Sequence, residues 1–424
     1  MISTRLDGVS FSNIWQRLSS DERSLCCTQG YGEERWETSL AWNPVSQFVL
    51  AAGEDPDELT KYLNLQQHDE RRTFGFLSYD ISYALFRITP HAKKDLALPD
   101  ACFFSFDSYT TFADDGVTLW ATDKERLSLF EREVRGILDR SERNVGVYKD
   151  ETPHELEPNT SAGEYGRSYQ KIKDYIFEGD IYQINLTHRL KGITKKFARD
   201  LFLDVCAKNQ VGFLAYFEGD GFELLSASPE KFIEISVKRE IETFPIKGTR
   251  PRGRTSEEDE QMRKELLASE KEAAELNMIT DLLRNDLGKI CKVGSVKVAS
   301  TRVAHAFATV WHTVSHVHGV LKEDMSSASA LLALFPGGSI TGCPKKRAME
   351  IIDELEPTRR GPYTGCIGFI DPNGHAEFNI AIRTFIKQGE NVFLQVGGGI
   401  VADSSEKAEY QETFDKARSF FGIL

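Results

Sequence analysis

The stretch Glu377-Phe378-Asn379-Ile380-Ala381-Ile382-Arg383-Thr384-Phe385, joined through Gly389 to Val392-Phe393-Leu394-Gln395-Val396, decides the fold. Apolar residues alternate along both runs, the mark of a strand with one buried face, and a glycine between two such runs signals a hairpin. Strand signatures also cover Thr309 to Val320 and Ile367 to Ile370. Long strands in antiparallel order, interrupted by helices, predict an α+β protein rather than a doubly wound parallel sheet. Arg383 is out of phase with Phe378, Ile380 and Ile382, so it leaves the opposite strand face, free either to fork onto a carboxylate or to form a rim salt bridge. Gly397, Gly398 and Gly399 follow the last strand. Such a run either brings backbone N–H groups close to an anion or makes a plain turn, and no Gly-Lys-Ser/Thr follows it to make a nucleotide loop.

Working outward, Ser161-Ala162-Gly163-Glu164 carries a capping box, and Tyr165, Tyr169, Ile172 and Ile176 recur at helical spacing until Gly179. An alternating strand follows at Tyr182 to Leu186. Further helices are expected at 258–287, ending at Gly288, at 344–356 between Pro344 and Pro357, and at 404–421 with Asp403 and Glu406 as its cap signal. The polar stretch Lys149 to Thr160, with Pro153 and Pro158, reads as a linker between an N-terminal region, 1–148, and a C-terminal one, 161–424.

The chain has 424 residues, 40% of them hydrophobic, enough for one large or two to three smaller folded units. A net charge of -13 would repel nucleic acid and anionic membranes, and an anionic substrate would need local positive charge. No apolar run is long enough to span a membrane, and the N-terminus lacks an apolar signal core. Seven cysteines at irregular spacing, without a CxxC pair, fit a reducing compartment, so the expected location is the cytoplasm.

Lys247 stands between the apolar Phe244-Pro245-Ile246 and Gly248-Thr249, at a strand end opening into a turn. To act as a nucleophile its amine must be neutral, which burial or a neighbouring cation would favour. Glu272 with Glu275, and Glu409 with Glu412, are pairs three residues apart, each on one helical face. Carboxylates converging from two helices suit magnesium, although solvated helices carry such pairs routinely. His312 and His316 stand about 13 Å apart in a strand and cannot share an ion. Cys366, inside an apolar run, reads as core.

Together these residues resemble the chorismate-utilising enzymes, in particular their aminodeoxychorismate synthase component I branch, with anthranilate synthase component I as a near cousin. The resemblance is carried by GDIYQIN (179–185), SPE (228–230), PIKGT (245–249), AAELNMITDLLRNDLG (273–288), GGSITGCPKKRAMEIIDELE (337–356), RGPYTGCIGF (360–369) and GGGIVADSSEKAEYQETFDKAR (397–418). It covers roughly 160–424 strongly and the N-terminal third faintly, at 75–80.

The resemblance implies two facing antiparallel β-sheets flanked by helices, with the N-terminal region completing the same body. It implies a magnesium ion on Glu275 and Glu412, with Glu409 beside the latter, holding the ring carboxylate of chorismate. Tyr363, Arg383 and the backbone of Gly397, Gly398 and Gly399 match positions that grip the enolpyruvyl carboxylate. Gly248, Thr249 and His312 match residues lining the ring, and His312 joins Lys247, Glu230 and Gln183 among the catalytic positions. Relatives that add water to chorismate have a lysine where this chain has Gln183, and anthranilate synthases have alanine where it has Lys247. Lys247 then resembles a covalent catalyst and Glu230 its proton donor. Since none of the cysteines resembles a glutaminase nucleophile, ammonia is expected from a separate glutamine amidotransferase subunit.

Overall fold

The computed structural model describes residues 1–19, 21–30, 36–143, 156–307 and 310–424. Its strands form two antiparallel sheets, of twelve and ten strands among the described residues. The larger sheet pairs Cys26–Gln29 with Phe213–Glu218 and continues through Glu223–Ser228, Thr384–Gln388 and Asn391–Ile400 to Gln183–Ile193. The smaller pairs Arg72–Leu77 with Cys366–Ile370 and runs through Ala376–Ile380 and Lys231–Ile235 to Val310–Val320 and Ile246–Pro251. Strands from the first and last thirds of the chain therefore share both sheets.

The sheets face each other across an aromatic layer. Phe104 and Phe217 stack with centroids 4.9 Å apart, and Phe76 meets Phe217 edge-on at 5.3 Å. Such pairs add about 0.5–1.5 kcal/mol each beyond the area they bury. The outer faces are covered by helices: Trp15, Phe130 and Phe202 pack on the larger sheet, and Leu59, Leu63, Leu287 and Leu331 on the smaller.

The run expected to be one strand from Glu377 to Phe385 is two, and each belongs to a different sheet. Ala376–Ile380 lies in the smaller sheet and Thr384–Gln388 in the larger. The chain crosses at Ala381-Ile382-Arg383, where Arg383 adopts a left-handed φ of 50°. Both halves are buried, so the alternation continues across a break it cannot report. Arg383 consequently leaves from the crossing and not from a strand face. The hairpin through Gly389 is present, with Gln388 opposite Asn391.

The helix expected at 258–287 is also two, Ser256–Ala268 and Glu270–Ile290. Ser269 between them is extended and caps the second helix, while Arg302 donates to the carbonyls of Leu266 and Ser269. Gly288 lies inside the second helix. The capping box at Ser161 is formed and opens Ala162–Phe177, and Lys345–Leu355 follows Pro344 as expected. The last helix, Glu406–Ala417, is capped by Ser405 without a side-chain bond and ends in a tight turn, Arg418–Phe420. Of the expected linker, residues 149–155 lie outside the described residues, and Glu157–Pro158 pairs with Leu190 and Lys191 at a sheet edge.

One buried ion pair locks the end of the larger sheet. Arg360 is fully buried and grips both oxygens of Glu356, at 2.9 and 2.7 Å, while also donating to the carbonyls of Ile340 and Asn185. Glu356 in turn accepts from the Thr187 amide. Removing one partner strands the other charge in the interior. Arg360→Leu is therefore expected to destabilise the protein by about 3–5 kcal/mol in urea unfolding, whereas Arg135→Leu, which breaks an exposed pair with Glu131, changes stability by less than about 1 kcal/mol.

Candidate active site

Lys247 owes its position to a local irregularity. In pairing with Val310–Val320, the register shifts between Lys247, opposite Thr313, and Thr249, opposite His312, with Gly248 between them at φ 74°. A bulge of this kind re-aims a side chain. A Cβ on Gly248 would stand 2.9 Å from Leu266 Cδ1 and 3.1 Å from Glu272 Oε2, so only glycine lets the strand lie this close to the neighbouring helices.

Lys247 is half-buried as a residue, and its amine lies in the field of Glu275, Lys416, Glu230 and Glu412. Loss of hydration lowers its pKa below that of an ordinary lysine, and Lys416 reinforces the shift. The three carboxylates pull the other way without reversing it. Glu230, only 8% exposed, is the counterpart: burial pushes its pKa up to about 6, although a hydrogen bond from Ser339 Oγ to Oε1 at 2.8 Å and the charges of Lys247 and Lys416 oppose the rise. Burial thus wins over attraction in both groups and drives the pair toward neutral amine and neutral acid.

His312 is buried beside them. Its Nδ1 lies 3.0 Å from the Gly248 carbonyl and 3.0 Å from Thr249 Oγ1. A carbonyl only accepts, so Nδ1 carries the proton and Nε2 keeps its lone pair. Burial brings the pKa of His312 down to about 4, helped by the charge of Arg383, so the ring is neutral at pH 7. Thr249 is itself exposed. Arg383 has no carboxylate or hydrogen-bond partner for its guanidinium among the described residues, and desolvation lowers its pKa. The rim salt bridge is therefore not formed.

The three glycines are neither a turn nor a loop. They lie within Asn391–Ile400 and pair with Thr187, Leu186 and Asn185. On its other side this strand is registered with Thr384–Gln388 only as far as Leu394, so among the described residues the glycine segment has no strand neighbour there. A Cβ on Gly399 would stand 3.0 Å from Gln183 Nε2 and 3.8 Å from Lys247 Nζ. Gln183 is buried and its Oε1 has no partner. Tyr363, also buried, engages Asn185, the residue opposite Gly399.

The acidic pairs form the remaining side. Glu275 lies 4.0 Å from Lys271, and Glu412, exposed, is 2.8 Å from Lys416. Glu409 is buried and takes a hydrogen bond from Ser404 at 2.6 Å; burial and the nearby Glu412 raise its pKa. Lys271, from the Glu275 helix, acts on Glu409, so the two helices converge. Glu272 is held by Arg250 through Oε1, and its Oε2 is buried without a partner. Among the described residues no three His, Cys, Asp or Glu side chains form a ready metal cage.

Two members were not singled out from sequence. Lys416, which donates to the Gly397 carbonyl at 2.9 Å, was legible only as one residue of a long helix pattern. Ser339, which bonds Glu230, sits in a glycine-rich turn whose spacing carries no period.

A half-buried guanidinium without a counter-charge among the described residues is stabilised when a ligand of opposite sign completes it, which makes this a candidate site for a small anion. Comparison with known proteins makes the class specific: the chain belongs to the chorismate binding enzyme family, whose pattern matches residues 24–422. It is 38% identical to aminodeoxychorismate synthase component 1 of Bacillus subtilis over 81% of this chain and 74% of that one. It is 39% identical to anthranilate synthase component 1 1 of Haloarcula marismortui over 82% and 75%. The structure of anthranilate synthase component I from Streptococcus pneumoniae TIGR4 superposes with a TM-score of 0.82 at 27% identity, covering 97% of each chain. No helix among the described residues is long and apolar enough to cross a membrane.

The depressed basicity of Lys247 is directly measurable. After reductive ¹³C-methylation, its methyl resonance, assigned by its loss in Lys247→Ala, is expected to titrate below that of the exposed Lys61, whose pKa is raised by Glu58.

Proposed function

We propose that this chain aminates chorismate to 4-amino-4-deoxychorismate, with magnesium as cofactor and with ammonia delivered from glutamine by a separate amidotransferase subunit. The observation that carries this reading is the amine of Lys247, buried beside Glu230, with burial lowering the basicity of one and raising that of the other. Relatives named for amination alone and relatives named anthranilate synthase match at nearly the same identity, so overall similarity does not choose between them. Lys247 favours the first, because the anthranilate synthases resemble this chain with alanine there.

In this reading the neutral amine attacks the ring carbon beside the carboxylate-bearing one. Both conjugated ring double bonds shift by one position and the C–O bond of the ring hydroxyl breaks. Hydroxide leaves poorly, so the proton of Glu230 goes to that oxygen and water departs. Ammonia then adds at the carbon the hydroxyl left, both double bonds shift back, and the C–N bond to Lys247 breaks. The carboxylate of Glu230 takes up the proton that ammonia loses. Two displacements give net retention. Arg383 and the open glycine edge hold the enolpyruvyl carboxylate, and the buried Oε1 of Gln183 lies beside the reacting face without the ammonium group that serves the water-adding relatives.

The residues fit magnesium by their chemistry. Glu275, Glu409 and Glu412 are hard oxygen donors, and Glu409, whose pKa is raised by burial and then by the nearby Glu412, would gain from a cation beside it. When bound, the ion would fix and neutralise the ring carboxylate. The second reading, anthranilate synthase component I, keeps the same binding and adds loss of pyruvate.

With chorismate, magnesium and an ammonium salt, the expected product is 4-amino-4-deoxychorismate, followed by chromatography and mass spectrometry; stoichiometric anthranilate and pyruvate would decide for the second reading. Intact-protein spectra should show a chorismate-derived adduct in wild type and none in Lys247→Ala, and Glu230→Gln should lower kcat by about 10²–10⁴-fold. Glu412→Gln should raise the magnesium concentration needed for half-maximal chorismate binding by about 10–100-fold, read by calorimetry.

A further inference from the structure

Glu230 has two carboxyl oxygens, and a proton donor must carry its proton on the one that faces the substrate. The short turn Gly338–Ile340 settles which one is free. Its middle residue, Ser339, is half-buried and places Oγ 2.8 Å from Glu230 Oε1. When the serine hydroxyl donates there, Oε1 is the acceptor and Oε2 is the oxygen left to hold the acidic proton.

The turn is held unusually firmly for so short a segment. The Ile340 carbonyl accepts from the buried Arg360 at 3.0 Å and from the buried Asn185 at 3.2 Å. Thr341 bonds back to the Gly337 carbonyl at 2.7 Å. Leu282, from the helix that carries Glu275, packs so closely that a Cβ on Gly338 would stand 2.4 Å from its Cδ2. Asn185 also engages Tyr363, so one buried network sets both the carboxylate-gripping side of the site and the orientation of its acid.

We infer that Ser339 is a positioning residue for the amination: its hydroxyl pins Glu230 Oε1 and so directs the proton of Glu230, from Oε2, at the departing hydroxyl. The inference rests on the proposed reaction for the identity of that leaving group, but the pinning itself does not. The charged groups facing Glu230 are Lys247, from the bulged strand, and Lys416, from the last helix. Both favour the carboxylate, as Ser339 does, so removing the hydroxyl raises the pKa of Glu230 while leaving both cations in place.

The test is the pH profile of kcat for chorismate consumption with ammonium and magnesium, whatever the product. The limb belonging to Glu230 is the one lost in Glu230→Gln. In Ser339→Ala that limb should move up by about one pH unit, and kcat at its optimum should fall about tenfold, because the proton is no longer directed. Ser339→Thr, which keeps a hydroxyl at the same carbon, should restore both. In Glu230→Gln the added Ser339→Ala should cost less than about twofold, because the serine acts through the glutamate. A kcat loss without movement of the limb, unrescued by threonine, or a full further loss in the Glu230→Gln background, would overturn the inference. If wild type consumes no chorismate, the proposed function is at fault. The pinning is then read from the ¹³C-carboxyl resonance that disappears in Glu230→Gln, which must still titrate higher in Ser339→Ala.

Discussion

The passage of the chain from one sheet to the other between Ile380 and Thr384 is the constraint on which the site rests. Because Thr384–Gln388 enters the larger sheet late, Asn391–Ile400 runs on past it, and among the described residues Gln395 to Gly399 keep one edge clear of strands. That edge and Arg383 lie at the same gap. A non-glycine residue in left-handed conformation costs on the order of 1–3 kcal/mol, so something must hold it there. Four backbone bonds do: Thr364 N–H to the Ala381 carbonyl, Ala381 N–H to Gly365, Ile382 N–H to Ile380, and Ala227 N–H to the Arg383 carbonyl, the longest of them 2.9 Å. The crossing is therefore a fixed feature of the scaffold, and it delivers a guanidinium to the cleft without a carboxylate beside it.

The interior of the site then follows from a contest between burial and attraction. An amine and a carboxyl brought together in water form an ion pair. Here desolvation is the largest influence on each, and it lowers the basicity of Lys247 and raises that of Glu230. Both shifts run in the direction that the proposed addition of lysine with expulsion of a hydroxyl needs. The overall charge of -13 is no obstacle to an anionic substrate, since field strength inside a desolvated cleft is set by the few charges lining it.

Much of this was legible in the residues. The hairpin through Gly389, the capped helix from Ser161 and the two glutamate pairs follow from spacing alone, because periodicity reports which side of an element is buried. It does not report against what. Glu377 to Phe385 kept its alternation through a change of sheet because Phe378 and Phe385 are equally buried on either side of the break. Ser269 looked like any polar residue within a helix, yet its cap and the reach of Arg302 divide that helix in two. Glycines 397–399 have no side chains to form a pattern, so their strand was invisible. Ser339 and Glu230 are 109 positions apart, and only the fold brings them together.

The rim and the interior differ in how readily they yield. Glu412 and Lys416 form their pair with about half of each side chain exposed, and Lys271 only approaches Glu275 at 4.0 Å. Exposed pairs of this kind contribute about 0–1 kcal/mol, so separating these ammonium groups from their carboxylates costs little. Lys416 is also tethered through the Gly397 carbonyl. The inner elements have no such latitude: Glu230 is pinned by Ser339, the turn behind it by Arg360, and Lys247 by a bulge that only Gly248 permits. Whatever settles at the rim therefore meets an interior whose groups are already fixed in position.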